Sequence, residues 1–208
     1  MAVVVVVKEK ILNYCMNLVK NKYPNYDEDK LEIIAYGLEG LYLTFTKIII
    51  IIGLSLILGK LKNVLMLILF YNLIRFFSFG LHAKKSYQCL IMSISLFIGG
   101  MYLCEYISIN IYIKVILGII CIILMAKYAP ADTEKRPLIN KKHRYFFKLL
   151  SLFQTTIFTI FIVIFNDRTI SNYLLIGLIE ATLMILPISY KILKLPYDNY
   201  KRYNLTKV

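Results

Sequence analysis

The chain has 208 residues, is 59% hydrophobic and carries a formal net charge of +13, from 25 Lys and Arg against 12 Asp and Glu. Its polar segments alternate with apolar runs of about twenty residues, the length that crosses ~30 Å of hydrocarbon, which excludes a soluble domain of ordinary composition. The runs lack two-residue alternation, which excludes a membrane β-barrel.

In chain order, the opening MAVVVVV has no basic residue ahead of a short apolar run, so it does not read as a signal peptide. Residues 8–22 predict a helix lying on the membrane surface. Ile11, Leu12, Cys15, Leu18 and Val19 share one face, and Lys8, Lys10, Asn17 and Lys20 the other. Six spans follow, at 38–59, 63–79, 88–109, 111–126, 149–166 and 170–190. Backbone groups in lipid must bond within their own segment, so the spans are predicted as helices. The expectation is an all-α polytopic integral membrane protein with six transmembrane helices and an N-terminal amphipathic interfacial helix. It is read as one membrane domain over 1–208. Residues 1–37 form its N-terminal segment, 38–190 its six-helix bundle and 191–208 its tail.

The positive charge has an explanation in topology. With the N-terminus in the cytoplasm, twenty Lys and Arg residues fall inside and only Lys60, Lys62, Lys114 and Arg168 outside, while Lys47 lies within a span. Such a bias is what the positive-inside rule describes. The expectation is a multi-pass protein of the cell membrane with both termini cytoplasmic, and nucleic-acid binding is not needed to explain the charge. No P-loop is present. Of the four cysteines, Cys104 and Cys121 fall inside predicted spans, Cys15 on the surface helix and Cys89 at a cytoplasmic edge. A reducing compartment argues against disulfides, and no pair has the close spacing of a zinc site, so neither metal nor cofactor is expected.

The polar break FSFGLHAKKSYQCL, residues 77–90, holds His82 and Cys89. Ser86 reads as an N-cap for the third span, which puts Cys89 in the first helical turn. There, unpaired amides and the helix dipole favour a negative charge, and Lys84 and Lys85 stand nearby, a setting that makes a thiol reactive. On one continuous helix His82 and Cys89 would lie ~10 Å apart, too far for a base to reach a sulfur. The intervening AKKS must therefore bend, and Gly80 can supply unusual backbone angles. Arg75, near the end of span two, can reach the interface or a substrate carbonyl. Phe76, Phe77, Phe79 and Tyr87 serve equally as a dry wall or as an interfacial aromatic belt.

The stretch RFFSFGLHAKKSYQC resembles the signature of the accessory gene regulator protein B (AgrB) family, membrane endopeptidases of Gram-positive quorum sensing. KYAPADTEKRPL, residues 127–138, resembles that family's YAPA segment and the basic cluster after it. LEIIAYGLEGL, residues 31–41, is a weaker third match, and the resemblance runs from about residue 8 to 195. It implies Cys89 as nucleophile and His82 as general base, with Arg75 and Gly80 as supporting positions. Gln88 and Asp132 are candidates to orient His82. Lys84, Lys85, Lys135 and Arg136 are candidates for binding substrate, although Glu134 stands where some members have another Lys.

The substrate that the resemblance implies is a short AgrD-like propeptide. It has an amphipathic helix, a central segment with Cys or Ser, and an acidic tail that the enzyme removes while promoting a thiolactone or lactone ring. A homodimer in the lipid bilayer is implied as well.

Other readings stay open. Lys135, Arg136, Lys141, Lys142 and Arg144 serve either as a lipid anchor or as an attractor of the acidic tail. His143 is read as solvated, and Pro130 and Pro137 bracket a segment that is not one unbroken helix. Glu105 and Glu180 fall in spans, where a charge is expensive and usually faces the bundle, Glu105 nearer the outer surface. Glu180 either pairs with Lys47 or stays protonated. Those intramembrane charges keep a peptide exporter without ATPase activity as the rival reading, and a membrane scaffold as a third.

Overall fold

The computed structural model describes residues 2–83, 86–133, 138–165 and 168–201. Its helices are α1 Ala2–Lys22, α2 Glu28–Ile57, α3 Leu61–Ser78, α4 Ser86–Ile94, α5 Gly100–Tyr106, α6 Ile111–Tyr128, α7 Lys141–Ile164, α8 Arg168–Leu183 and α9 Pro187–Ile192. Among the described residues there is no strand, and an isolated parallel bridge joins Phe79 and Ala131. Among the described residues five helical stretches are long and apolar enough to cross a membrane, and Thr169–Leu183 is a shorter apolar helix. The protein is an all-α polytopic membrane protein.

The chain divides into two compact units, residues 1–54 and 55–208. In the first, α1 reaches back through the valine run, further than the amphipathic pattern predicts. Lys8 makes an ion pair with Glu39, which ties α1 to α2. The second helix begins well before the apolar run does, because the Asp27 side chain caps it by accepting Lys30 N–H at 3.0 Å.

In the second unit α3 packs on α8 and α7, α6 on α7, and α5 on α8. Its interior is unusually polar, with Ser55, Ser78, Lys114, Ser151, Thr155, Thr159, Ser171, Asn172, Glu180 and Thr182 all buried. Its outside carries Ile57, Phe76, Phe153 and Ile164. In water that distribution would be unstable, and in lipid it is the expected one, since lipid-facing side chains must be apolar and polar ones face the bundle. Small residues bring the helices close. A Cβ at Gly177 of α8 would stand 3.2 Å from the Tyr71 nitrogen of α3, and one at Gly118 of α6 would stand 2.6 Å from the Thr159 methyl of α7.

Three spans differ from the sequence expectation. The third is interrupted by one π-helical turn, Ser95–Gly99, just ahead of Gly100. The fifth starts earlier, at Lys141 rather than 149, because the Asn140 side chain accepts Lys142 N–H at 2.9 Å and His143 N–H at 3.4 Å. Lys141, Lys142, Arg144 and Lys148 are therefore helical rather than part of a loop, and His143 is exposed. The sixth does not run on to 190. It stops at Leu183, and Pro187, which has no N–H to give Leu183 O, opens α9 instead.

Candidate active site at one end of the bundle

That break in the sixth span shapes the site. Where a continuous helix would use Met184 O for its own ladder, the carbonyl instead accepts Leu81 N–H at 3.0 Å. The segment leaving α3 is tied to the loop after α6 as well. Gly80 N–H donates to Ala131 O at 3.0 Å, and Ala131 N–H donates to Ser78 O at 3.0 Å. From α3 itself, Arg75 donates to Leu81 O and to the Tyr71 hydroxyl. The Arg75 guanidinium also lies 5.5 Å from the Tyr71 ring centroid. Three elements thus fix Phe79–Leu81, immediately ahead of His82.

Gly80 is required here on two grounds. Its φ is +115°, which side-chain-bearing residues rarely adopt, and a Cβ would stand 2.9 Å from Met184 O. Phe79, at φ +57°, shares the turn and sets its ring edge-on to Phe147 of α7, centroids 4.9 Å apart.

Residues 81–83 are not helical and His82 is exposed, while Lys84 and Lys85, where the bend in AKKS is expected, lie outside the described residues. Helix α4 begins at Ser86, one position earlier than an N-cap at Ser86 would give, so Cys89 lies in the first turn. Cys89 is half-buried, and its carbonyl accepts the Ser93 hydroxyl at 2.9 Å. Gln88 is half-buried on the same first turn.

Asp132 is only 5% exposed and accepts backbone N–H groups from Leu138, Asn199 and Tyr200. Lys84, Lys85, Lys135 and Arg136 lie outside the described residues. The aromatics expected as a wall divide: Phe76 and Phe77 meet edge-on beside each other, Tyr87 is exposed, and Phe79 turns to α7. Among the described residues no group of three or more His, Cys, Asp or Glu could hold a metal ion.

Sequence reasoning missed Tyr71, Met184 and the tail at 196–200. Pro187 was the available signal for the Met184 break, and the dense turn chemistry of PYDNY for the tail.

At the opposite end, Lys60 pairs with Glu105 at 2.8 Å, and Asn63 donates to the same carboxylate. The hydrogen bond with Glu105 holds the Lys60 ammonium above its ordinary value. Lys114, 4% exposed, donates to the Ser171 hydroxyl at 2.9 Å, and that hydroxyl donates to Ile162 O at 2.9 Å. Asn172 donates to the Cys104 and Ile107 carbonyls at 2.8 and 3.0 Å. Glu180 lies between the two ends, with one carboxyl oxygen lacking a hydrogen-bond partner. Its other oxygen would lie 2.3 Å from a Cβ at Gly100.

The geometry can be set beside known proteins. The family model of accessory gene regulator B matches residues 11–186. An AgrB-like protein of Listeria welshimeri is 33% identical over 186 residues, covering 88% of this chain and 90% of that protein. An AgrB-like protein of Clostridium acetobutylicum is 30% identical over 191 residues, covering 92% and 91%. Accessory gene regulator protein B of Staphylococcus epidermidis is 30% identical over 190 residues, covering 89% and 93%. No solved structure matches the chain. With a family model spanning most of its length and relatives matched nearly end to end, this chain belongs to the accessory gene regulator B family.

Proposed function

We propose that the protein is a membrane cysteine endopeptidase that removes the acidic tail of an AgrD-like propeptide and promotes ring closure. The observation that carries the reading is the locked Phe79–Leu81 segment, which delivers His82 four residues ahead of the helix start that holds Cys89. In this reading Cys89, with its proton taken by His82, attacks the carbonyl preceding the tail. The C–S bond forms, the C–N bond breaks, and His82 passes the proton to the leaving amine. The propeptide's own thiol then attacks the thioester, its proton going to the Cys89 sulfur as that leaves. One thioester replaces another at little cost in free energy. Water must be kept out, because hydrolysis would give a linear product.

Arg75 supports this arrangement by holding Leu81 O, and Gln88 stands on the same helical turn as Cys89. Lys84, Lys85, Lys135 and Arg136 are the proposed cationic contacts of the acidic tail. Exchanging both Lys135 and Arg136 for Ala should raise KM, and added salt should weaken the wild type in the same way. An unchanged KM at low salt would leave those residues as a lipid anchor.

The charge bias supports a cytoplasmic site. In a chain with its own cysteines replaced, a cysteine at exposed His143 should escape an impermeant thiol reagent in intact cells. One at exposed Ser108 should be labelled. The reverse pattern would overturn the sidedness.

The unpaired oxygen of buried Glu180 favours the second reading, a peptide exporter, in which an intramembrane carboxyl marks a path. Purified protein in liposomes with a synthetic propeptide separates the two. Cys89→Ala should abolish tail cleavage while the protein still inserts and binds propeptide. Cleavage that survives in Cys89→Ala would return the exporter to the front.

A further inference from the structure

Asp132 is the buried hub of a second set of contacts, far from Cys89 in sequence. Its Oδ1 accepts Asn199 N–H at 3.0 Å, and its Oδ2 accepts Tyr200 N–H at 2.8 Å and Leu138 N–H at 3.3 Å. Its carbonyl accepts the Tyr190 hydroxyl at 2.9 Å, and the Tyr190 ring meets Tyr197 edge-on at 5.1 Å. From the first turn of α7, the Arg144 guanidinium lies 3.1 Å from the Tyr200 ring centroid. Within the tail, Asp198 takes a φ of +54° and the Asn199 amide donates to Pro196 O at 3.0 Å. Residues 196–200 are therefore wrapped around one buried carboxylate.

A buried carboxylate is tolerated only when its oxygens are satisfied, and charge-assisted N–H bonds are the strong way to do it. Two of the three N–H donors come from the tail. The residue before Asp132 is Ala131, whose two backbone bonds to Ser78 and Gly80 are among the last ties ahead of His82.

We infer that residues 196–200 form a strap that, through Asp132, holds the loop presenting His82, so that Asp132 is a positioning residue. This rests on the peptidase reading. Without the strap the carboxylate loses the Asn199 and Tyr200 amides and must turn toward water, taking Ala131 with it. The Phe79–Leu81 segment then loses one of its three anchors. A base displaced by ~1 Å costs up to about a hundredfold in rate. Loss of the tail donors leaves Leu138 N–H on the carboxylate, so substrate affinity is unaffected by loss of the strap itself.

The test uses the full-length protein in liposomes with a synthetic propeptide containing an amphipathic helix, a central Cys and an acidic tail. A chain ending after Lys201 keeps every strap contact and should match the wild type. A chain ending after Leu195, Asp132→Ala, and the two combined should share a fall in kcat of about tenfold to a hundredfold. In the shortened chain KM should stay within about twofold, and the fall in kcat of the combination should be no worse than that of either change alone. If the shortened chain does not accumulate, Asp132→Asn, which turns one acceptor into a donor, carries the same test.

A shortened chain with wild-type kcat, a loss confined to KM, or losses that multiply in the combination would each overturn the strap. Failure of the peptidase reading looks different, since Cys89→Ala would then cleave as the wild type does.

Discussion

The two ends of the second unit are built by different means. At the Glu105 end, side chains close the structure: Lys60 to Glu105, Lys114 to Ser171, and Asn172 to two carbonyls. At the Cys89 end, most of the ties run between backbone groups, through Gly80, Leu81, Ala131 and Met184, with Arg75 and Asp132 binding main chain. Side-chain pairs join helix ends without fixing any one loop. Backbone ties fix the path of the chain segment itself. The difference marks the second end as the one built to present residues, and it predicts which changes alter activity and which alter only stability.

The largest effect is expected at Gly80. Gly80→Ala combines a positive φ with a Cβ 2.9 Å from Met184 O, a strain of about 1–3 kcal/mol before any shift of the loop. Propeptide cleavage should fall about a hundredfold in kcat. Gly99→Ala, where nothing stands within 4 Å of the added Cβ, should cleave like the wild type. Equal losses in both would break the comparison.

Asn172→Ala should show the complementary result. Removing the amide strips a side-chain donor from the Cys104 and Ile107 carbonyls, at a cost of about 1–3 kcal/mol. Thermal melting in detergent should fall, while kcat per folded molecule stays unchanged. A drop in kcat without a drop in Tm would contradict the assignment of that end to stability.

The smallest effect belongs to the ion pair. Glu105→Gln should lower Tm slightly at pH 7 and leave kcat within about twofold, as expected for a solvent-accessible pair. Lys60 is held above its ordinary value, so the pair's contribution is complete at neutral pH. On the alkaline side it is lost as pH rises beyond 10.5 through the raised value. A Lys60→Met protein that melts differently from the wild type at pH 7 but equally well above that range would sharpen the account.

Much of the membrane architecture is legible in the sequence because lipid imposes a simple pattern, long apolar runs separated by charge. The helix start that puts Cys89 in a first turn is legible as well, since Ser86 reads as a helix beginning. What stays hidden is tertiary. Asn140 extends a helix beyond its apolar run, and nothing in hydropathy reports a cap. Pro187 announces a break, but only the fold tells which N–H will take the carbonyl set free at Met184. Asp132 is legible as a candidate residue, but not that its carboxylate accepts main-chain N–H groups of a tail more than sixty residues away. That contact has no local signature.

The central claim is that Cys89 carries the acyl group of the propeptide. The most direct measurement is mass spectrometry of the protein after incubation with a propeptide whose ring-forming Cys is replaced by Ala, so that the second transfer cannot occur. The account predicts an adduct on Cys89 equal in mass to the propeptide less its tail, released by hydroxylamine and absent from His82→Ala. Tail removal with no adduct on Cys89, or an adduct on another residue, would contradict it.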